Sequence, residues 1–178
     1  PKSVVAATPA DALETEELHS ASVVAAANAM RVLRGVVGFM FFHLAFWLRR
    51  EIAGTAWFGL AIGLSGLATL GANFVGPSLR KRMRVETMLL LALVSVGIVG
   101  IGTAWYGRIT GGILLAAVVN AAAAIGRLAF EATVQSGAPD ANRGRAFSRF
   151  ETQNQMAWVA GGICAKLPAA PQIDSLAA

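Results

Sequence analysis

The chain has 178 residues, of which 56% are hydrophobic and 14% are charged, with a formal net charge of +5 and a mean hydropathy of +0.59. Soluble domains carry about 25% charged residues, so this composition argues against a soluble protein. The basic residues fall in clusters between apolar runs, which argues against a nucleic-acid partner, and the single cysteine, Cys164, excludes a disulfide framework or a cysteine-rich metal site.

The amino-terminal segment differs from the rest of the chain. Residues 1–20 carry four acids against a single lysine and lack the continuous apolar run of a signal peptide. We expect this segment to form a solvated cytoplasmic linker or tail. Because the chain starts at Pro1 and not at methionine, a fragment or a processed product is expected.

Long apolar runs with few charged residues locate the membrane spans, because a hydrocarbon core about 30 Å thick needs about 20 apolar residues per helix. The predicted spans are, in chain order, about 21–49, 52–79, 86–107, 109–134 and 147–166. Together they predict a bundle of about five transmembrane helices over residues 21–167, followed by a tail at 168–178. The fifth span is short and opens with polar residues.

Two other classes of fold compete with this prediction. One is a soluble bundle of buried helices, but runs of about 18 or more uncharged apolar residues are typical of membrane helices. The other is a membrane β-barrel, since only helices and closed barrels satisfy their backbone groups in a bilayer. These runs lack the alternation of barrel strands. The sequence therefore favours an all-α integral membrane protein.

Lysine and arginine are distributed unequally between the two ends of the predicted bundle. With a cytoplasmic amino end and five alternating spans, eleven of them fall on the cytoplasmic side and four on the other. The positive-inside rule then predicts a multi-pass protein of the plasma (cell) membrane whose amino end is cytoplasmic.

The second predicted span contains small residues and ends in a basic run. Gly59 and Gly63 form a GxxxG pair, which is typical of helices that pack closely in membranes. We expect Gly76 and Pro77 to break the helix. The run SLRKRMR would then place four cations, with Arg80 the first of them, at the cytoplasmic surface.

Two loops carry a resemblance to a known family. The segment APDANRGRAF, residues 138–147, resembles the loop between the fourth and fifth helices of either half of a major facilitator superfamily transporter. The segment GPSLRKRMR, residues 76–84, is similar to the family's basic loop between the second and third helices. There Arg80 stands where the family has Asp, and the second Gly is absent. The resemblance covers about residues 28–165.

This resemblance implies a fold and a function. The chain would be similar to helices seven to eleven of the family, which is an incomplete carboxyl-terminal six-helix bundle. It would take part in secondary active transport of a small solute by alternating access, with the solute bound between two repeats. The amino-terminal half would be missing or supplied by a partner chain. The lipid bilayer is the expected surrounding, and no cofactor or metal is expected.

Polar residues within spans are the first candidates for a substrate cavity. Asn120, near the middle of the fourth span, either binds a solute or bonds a neighbouring helix. His43 is either a relay, which would make transport proton-coupled, or a neutral side chain bonded within the bundle. Arg34 either pairs with an acid inside the bundle or snorkels to the cytoplasm, and snorkelling is the favoured alternative.

A second set of candidates lies where the fourth span ends. Arg127 and Glu131 are four residues apart, so their side chains can meet on one helical face. They either form a gate with Arg143 or Arg145, in the loop that also contains Asp140, or only mark the membrane edge. The resemblance adds Arg80 to the candidates for this gate.

The sequence contains no catalytic constellation. Its two histidines, His19 and His43, lie in the tail and in a span, and neither a metal-ligand spacing nor a phosphate-binding loop is present. We therefore expect neither an enzyme nor an ATP-driven mechanism within this chain. The alternative to a transporter is a non-transporting accessory subunit of the membrane or a truncated remnant.

Overall fold

The computed structural model describes residues 20–137 and 143–166. Within these ranges the chain is helical and contains no strand, so the predicted all-α fold is confirmed. The five helices are α1 (Ala21–Leu48), α2 (Gly54–Arg82), α3 (Val85–Tyr106), α4 (Ile109–Gly137) and α5 (Arg143–Cys164). The described connections between them are short, so the helices that they join alternate in direction through the bundle.

Four of the described helices, α1 to α4, are long and apolar enough to cross a membrane. Their apolar windows are little buried within the chain, from 11% in α2 to 44% in α4. This combination is typical of helices whose outer faces contact lipid or other protein, and it agrees with a multi-pass membrane protein. The helix α5 is not apolar enough to be counted among these four, because its first half is polar.

The prediction that Gly76 and Pro77 break the second span is wrong, because α2 continues through Pro77 to Arg82. A proline lacks one backbone N–H, so its cost inside a helix is one missing bond and a local steric clash. Membrane helices tolerate such positions. As a result Arg80, Lys81 and Arg82 lie in the last helical turn, where cations meet exposed backbone carbonyl groups.

The basic end of the bundle, as we call it, is the end where α2 meets α3. It carries the cations Arg80, Lys81, Arg82 and Arg84. An apolar layer of α1, α3 and α4 residues lies near this end, with Val23, Met30, Met88, Phe130 and Val134 among its buried members. A second apolar layer, around Leu44 and Val119, lies nearer the opposite end.

The contact between α1 and α5 depends on glycine. Gly38 lies against the backbone of Trp158, and Gly161 lies against the backbone of Gly35, so closely that a Cβ atom at either glycine would overlap the opposing carbonyl group. Small residues allow helix backbones to approach in this way. The middle of α1 is thereby held against the last two turns of α5.

The glycines of α2 behave differently. Nothing within the described part of the chain lies within 4 Å of a Cβ atom built at Gly59, Gly63, Gly66 or Gly71. On the same helix, large apolar side chains such as Leu67 and Phe74 are 66% and 83% exposed. The GxxxG pair therefore packs against no other described helix of this chain.

Candidate functional site

Four charged side chains line one cavity of about 540 Å³ where α1, α4 and α5 meet. They are Arg34 of α1, Arg127 and Glu131 of α4, and Glu151 of α5. We call them the charge cluster, and we call the space that they line the charged cavity. Two cations and two anions in one cavity balance each other, so the cluster carries no net charge when all four groups are ionised.

The two ion pairs of the charge cluster differ in closeness. Arg127 donates a hydrogen bond from Nε to Glu131 Oε1 at 2.8 Å, along a single helix. Arg34 Nη2 lies 3.9 Å from Glu151 Oε1, across the contact between α1 and α5. The Nε atom of Arg34 is buried and has no hydrogen-bond partner among the described residues. Arg34 is therefore held loosely, although a buried donor favours a partner.

More polar groups surround the cluster on α1 and α5. Arg31 donates to Asn28 Oδ1 at 2.6 Å and also to Gln153 of α5. Asn154, 5% exposed, is one of the few buried polar residues in the described part of the chain and lines the charged cavity. Polar side chains thus connect α1 to α5 over about one helical turn on each side of the ion pair.

The charge cluster lies near the basic end of the bundle, where Arg34 and Glu131 are partly buried and Arg127 and Glu151 are exposed. Gly76 of α2 lies against Leu128 of α4, so Arg127 is at the level of Gly76. Arg80 follows Gly76 by four residues, which is about 6 Å along a helix that rises 1.5 Å per residue. Arg127 therefore lies about one turn inward of the basic run.

Aromatic rings line the charged cavity together with the charge cluster. Phe130 contacts Phe150 at 5.2 Å and Phe147 at 6.5 Å between ring centroids, both edge to face. Phe130 follows Arg127 by three residues, and Phe147 precedes Glu151 by four, so both lie about one turn nearer to the basic end. These rings therefore lie nearer to the basic end than Arg127 and Glu151 and about level with Glu131.

Two further cavities extend from the charge cluster into the bundle. A polar passage of about 360 Å³ shares Met30, Arg34, Arg127 and Glu131 with the charged cavity. An apolar chamber of about 520 Å³, among α1, α2, α4 and α5, shares Val37, Thr69 and Asn120 with the polar passage. The three spaces therefore follow one another from the chamber to the basic end.

Of the predicted cavity residues, Asn120 and Arg34 belong to this series of spaces. Asn120 lies where the chamber meets the passage, and its side-chain amide donates to Ala116 O at 2.8 Å. The sequence favours a snorkelling Arg34 over one paired with an acid of the bundle. In the structure Arg34 pairs with an acid, because Glu151 lies opposite it on α5. His43 lies in a different cavity among α1, α3 and α4, stacked on Phe39 at 5.3 Å.

Of the predicted gate residues, Arg127 and Glu131 meet as their spacing predicts. Arg80 is exposed in the last turn of α2 and lines none of the three spaces. Arg143 and Arg145 lie in the first turn of α5, but their side chains fall outside the described part of the structure. Asp140 lies outside the described residues.

Sequence reasoning does not single out Glu151 and Asn154, although both line the charged cavity. The pattern that points to them is the spacing of Phe147, Phe150, Glu151, Asn154 and Trp158, which puts all five on one helical face. Acidic and amide groups between aromatic residues on such a face are typical of a helix that turns a partly polar face inward.

Within the described ranges, no group of three or more His, Cys, Asp or Glu side chains could hold a metal ion. The acids of the charge cluster each lie beside an arginine instead. The arrangement pairs its charges with one another, and Asn120 presents an amide group where the chamber meets the passage.

Comparison with known proteins gives a distant relative. A segment of 134 residues is 26% identical to the uncharacterized protein ML2143 of Mycobacterium leprae (strain TN). The match covers 73% of this chain, and the chain spans 23% of the length of that relative. No protein-family model matches the chain, and no solved structure matches it. What the chain does is therefore inferred from its cavities and their charges.

Proposed function

We propose that the chain is roughly the second half of a secondary transporter that moves a small solute across a membrane by alternating access. The observation that carries this proposal is the series of adjoining spaces from the apolar chamber, past Asn120, to the charge cluster. A solute site within the bundle, with a closable path to one end, is what alternating access requires.

The charge cluster supplies the closable part of the path. Arg34 faces Glu151 on a neighbouring helix at 3.9 Å, and it lines the same cavity as Glu131. It can therefore exchange one acid for the other when α1 and α5 move relative to α4. Such an exchange would keep Arg34, whose side chain is only 25% exposed, beside an acid throughout the movement. Arg34, in one cavity with Glu151 of α5 and Glu131 of α4, would hold the path closed, and separation of α5 from α4 would open it.

The remaining wall of the chamber would come from the missing amino-terminal half or from a partner chain. The exposed face of α2 supports a contact of this kind, because no described atom lies within 4 Å of a Cβ built at any of four of its glycines. The relative from Mycobacterium leprae also supports it, since this chain spans only 23% of that protein's length. The similarity of the loops at 76–84 and 138–147 to those of the major facilitator superfamily is consistent with the same arrangement.

The proposal includes an orientation. The basic end is the cytoplasmic end in the plasma membrane, because eleven Lys and Arg fall on that side and four on the other. The charge cluster is then the cytoplasmic gate, and the chamber opens alternately to the cytoplasm and to the other side. Proton coupling through His43 is not favoured, since His43 lines a separate cavity.

A second candidate is a non-transporting accessory subunit or a truncated remnant. The observation that favours it is α5, whose polar first half keeps it outside the four helices that are long and apolar enough to cross a membrane. In that case α5 would lie in a groove of the bundle, and the charge cluster would only attach it to α1 and α4.

Two-sided accessibility tests the proposal. A cysteine at Ser65, which lines the chamber, is introduced in a Cys164→Ser background, since Cys164 is the single native cysteine. A membrane-impermeant maleimide is then applied to right-side-out and to inside-out vesicles of cells that produce the protein. The matched control is Ser78→Cys, near the basic end of α2.

Alternating access predicts that Ser65→Cys is labelled from both sides, whereas Ser78→Cys is labelled only from the basic side. Labelling of Ser65→Cys from one side alone, or from neither side, contradicts the transporter and supports the accessory subunit. The control also tests the orientation, because labelling of Ser78→Cys in right-side-out vesicles would place the basic end outside.

A further inference from the structure

We infer that the apolar chamber selects a neutral solute that has an aromatic or alicyclic ring and a single hydrogen-bonding group. The inference deepens the proposed transport function by naming the class of solute, and it rests on that function for its role in the cell. The lining of the chamber, the pairing of the nearest charges and the free groups of Asn120 carry it.

Aromatic rings from three helices converge on the chamber. Phe41 of α1 lies 5.6 Å from Phe58 of α2 and 6.3 Å from Trp158 of α5, measured between ring centroids. All three line the chamber. Tilted and edge-to-face rings in this range leave faces and edges against which another ring can pack. The volume of about 520 Å³ lies within the usual range for small-molecule sites.

Among the described residues, no ionisable side chain lines the chamber. The nearest charges line the polar passage, where Arg127 is bonded to Glu131 and Arg34 faces Glu151. These acids and bases balance, so the site offers no surplus charge to a solute. An ion that entered the chamber would lose its hydration without a counter-ion, which disfavours charged solutes strongly.

Asn120 is the group that can orient the solute. Its amide nitrogen donates one hydrogen bond, to Ala116 O on its own helix. A primary amide has a second N–H and a carbonyl oxygen that accepts, and neither has a partner among the described residues. By contrast, the hydroxyl of Thr69 donates to Ser65 O at 2.9 Å and so has no proton left to donate. At the end of the chamber that adjoins the passage, Asn120 can therefore bond one polar group of a solute.

The chamber has its polar end where it adjoins the passage. Asn120 and Thr69 line both the chamber and the passage, while the rings of Phe41, Phe58 and Trp158 line the chamber alone. A solute would bind with its ring among the aromatic side chains and its polar group toward the passage. This orientation favours compact amphipathic molecules over sugars, whose many hydroxyl groups would remain unbonded among the rings.

Equilibrium binding to the full chain in lipid nanodiscs tests the inference, with empty nanodiscs subtracted. Three tritium-labelled probes are used. The first is 1-naphthol, which is neutral at pH 7 and has one hydroxyl group. The second is 1-naphthoate, which has the same ring system and a negative charge, and the third is glucose. We expect saturable binding of 1-naphthol. We expect 1-naphthoate to bind at least about tenfold more weakly and glucose to show no saturable binding.

Two variants locate the site. Asn120→Leu keeps a similar volume but removes the polar group, and should weaken 1-naphthol binding about fivefold. Phe58→Ala removes one ring and should weaken it about tenfold. The matched control is Asn73→Leu, because Asn73 lines the passage and not the chamber. The control should bind 1-naphthol as the wild type does, and size-exclusion profiles check that each variant is folded.

The inference is overturned if 1-naphthoate binds as tightly as 1-naphthol, if Asn73→Leu weakens binding as much as Asn120→Leu does, or if no probe binds saturably. These results are independent of transport. Saturable 1-naphthol binding together with one-sided labelling of Ser65→Cys would support the solute site and contradict the transport function. Two-sided labelling of Ser65→Cys without saturable 1-naphthol binding would support the transport function and contradict this class of solute.

Discussion

Arg34 and Glu151 face each other across the contact between α1 and α5, with 3.9 Å between Arg34 Nη2 and Glu151 Oε1. The two helices are also held by glycines that bring their backbones together. A loose ion pair thus lies about one turn from a tight backbone contact. The tight contact fixes the position of α5 against α1, and the loose pair leaves Arg34 free to change partners.

A substitution that reverses the charge at Glu151 should destabilise the bundle more than a substitution that only neutralises this charge. Glu151→Gln leaves Arg34 without its partner, and because both side chains are partly exposed we expect a loss of no more than about 1 kcal/mol. Glu151→Lys adds a cation to a cavity that already holds Arg34 and Arg127, so its loss should be larger. The thermal unfolding midpoint in detergent measures both.

The control for this pair is Glu51→Lys, in the turn between α1 and α2, where the acid is exposed and makes no ion pair among the described residues. It should leave the midpoint close to that of the wild type. Equal midpoints for Glu151→Gln and Glu151→Lys would show that Glu151 does not face the arginines.

Substitution of the glycines at the contact between α1 and α5 should separate the two helices. In Gly161→Ala the new methyl group would overlap the carbonyl group of Gly35, and in Gly38→Ala that of Trp158. Overpacking of this kind costs about 1–3 kcal/mol, so the unfolding midpoint should fall in both variants. Gly63→Ala is the matched control, since nothing lies within 4 Å of its Cβ position.

Gly63→Ala should leave the midpoint unchanged or raise it slightly, because alanine favours a helix over glycine by about 1 kcal/mol. A fall in Gly63→Ala as large as that in Gly161→Ala would mean that the exposed face of α2 is covered in the detergent-solubilised protein. That outcome would support a second copy or a partner at this face.

Replacement of Pro77 should strengthen α2. The helix continues through this position to Arg82, and alanine would restore the N–H that proline lacks. We expect Pro77→Ala to raise the unfolding midpoint without a change in the helical signal by circular dichroism. A lower midpoint would indicate that the chain depends on a bend at Pro77, as the sequence alone suggested.

The helices were largely predictable from the sequence because apolar runs have few alternatives in a membrane. The residues at which the helices begin and end were less predictable. Hydropathy gives the second span an end near residue 79, whereas α2 includes the cations up to Arg82. Likewise the fifth span was predicted from 147, whereas α5 begins at Arg143. Charged residues end an apolar run, but they do not end a helix.

The site was only partly predictable. The spacing of Arg127 and Glu131 predicts their ion pair, since both lie on one helix. The partner of Arg34 lies more than one hundred positions away on a helix with a polar first half, and only the packing of α5 against α1 brings it close. Helix packing also decides which cavity a polar residue lines. The sequence therefore does not show that His43 and Asn120 line different cavities.

Glu131→Gln should affect accessibility more than stability. The pair of Arg127 and Glu131 is an i, i+4 pair with side chains 62% and 35% exposed, and such pairs contribute no more than about 0.5 kcal/mol. We therefore expect an unfolding midpoint close to that of the wild type. A large fall would mean that Glu131 has a structural role, and the variant could not then report on a gate.

The labelling rate of Ser65→Cys in gate variants tests the central claim most directly. With Cys164→Ser as background, Glu131→Gln and Glu151→Gln remove the acids that pair the arginines. We predict that both raise the rate of maleimide labelling from the basic side several-fold and leave or lower the rate from the opposite side. Glu86→Gln, in the first turn of α3, should change neither rate. Unchanged rates in the gate variants, or an equal rise from both sides, would contradict a gate at the charge cluster.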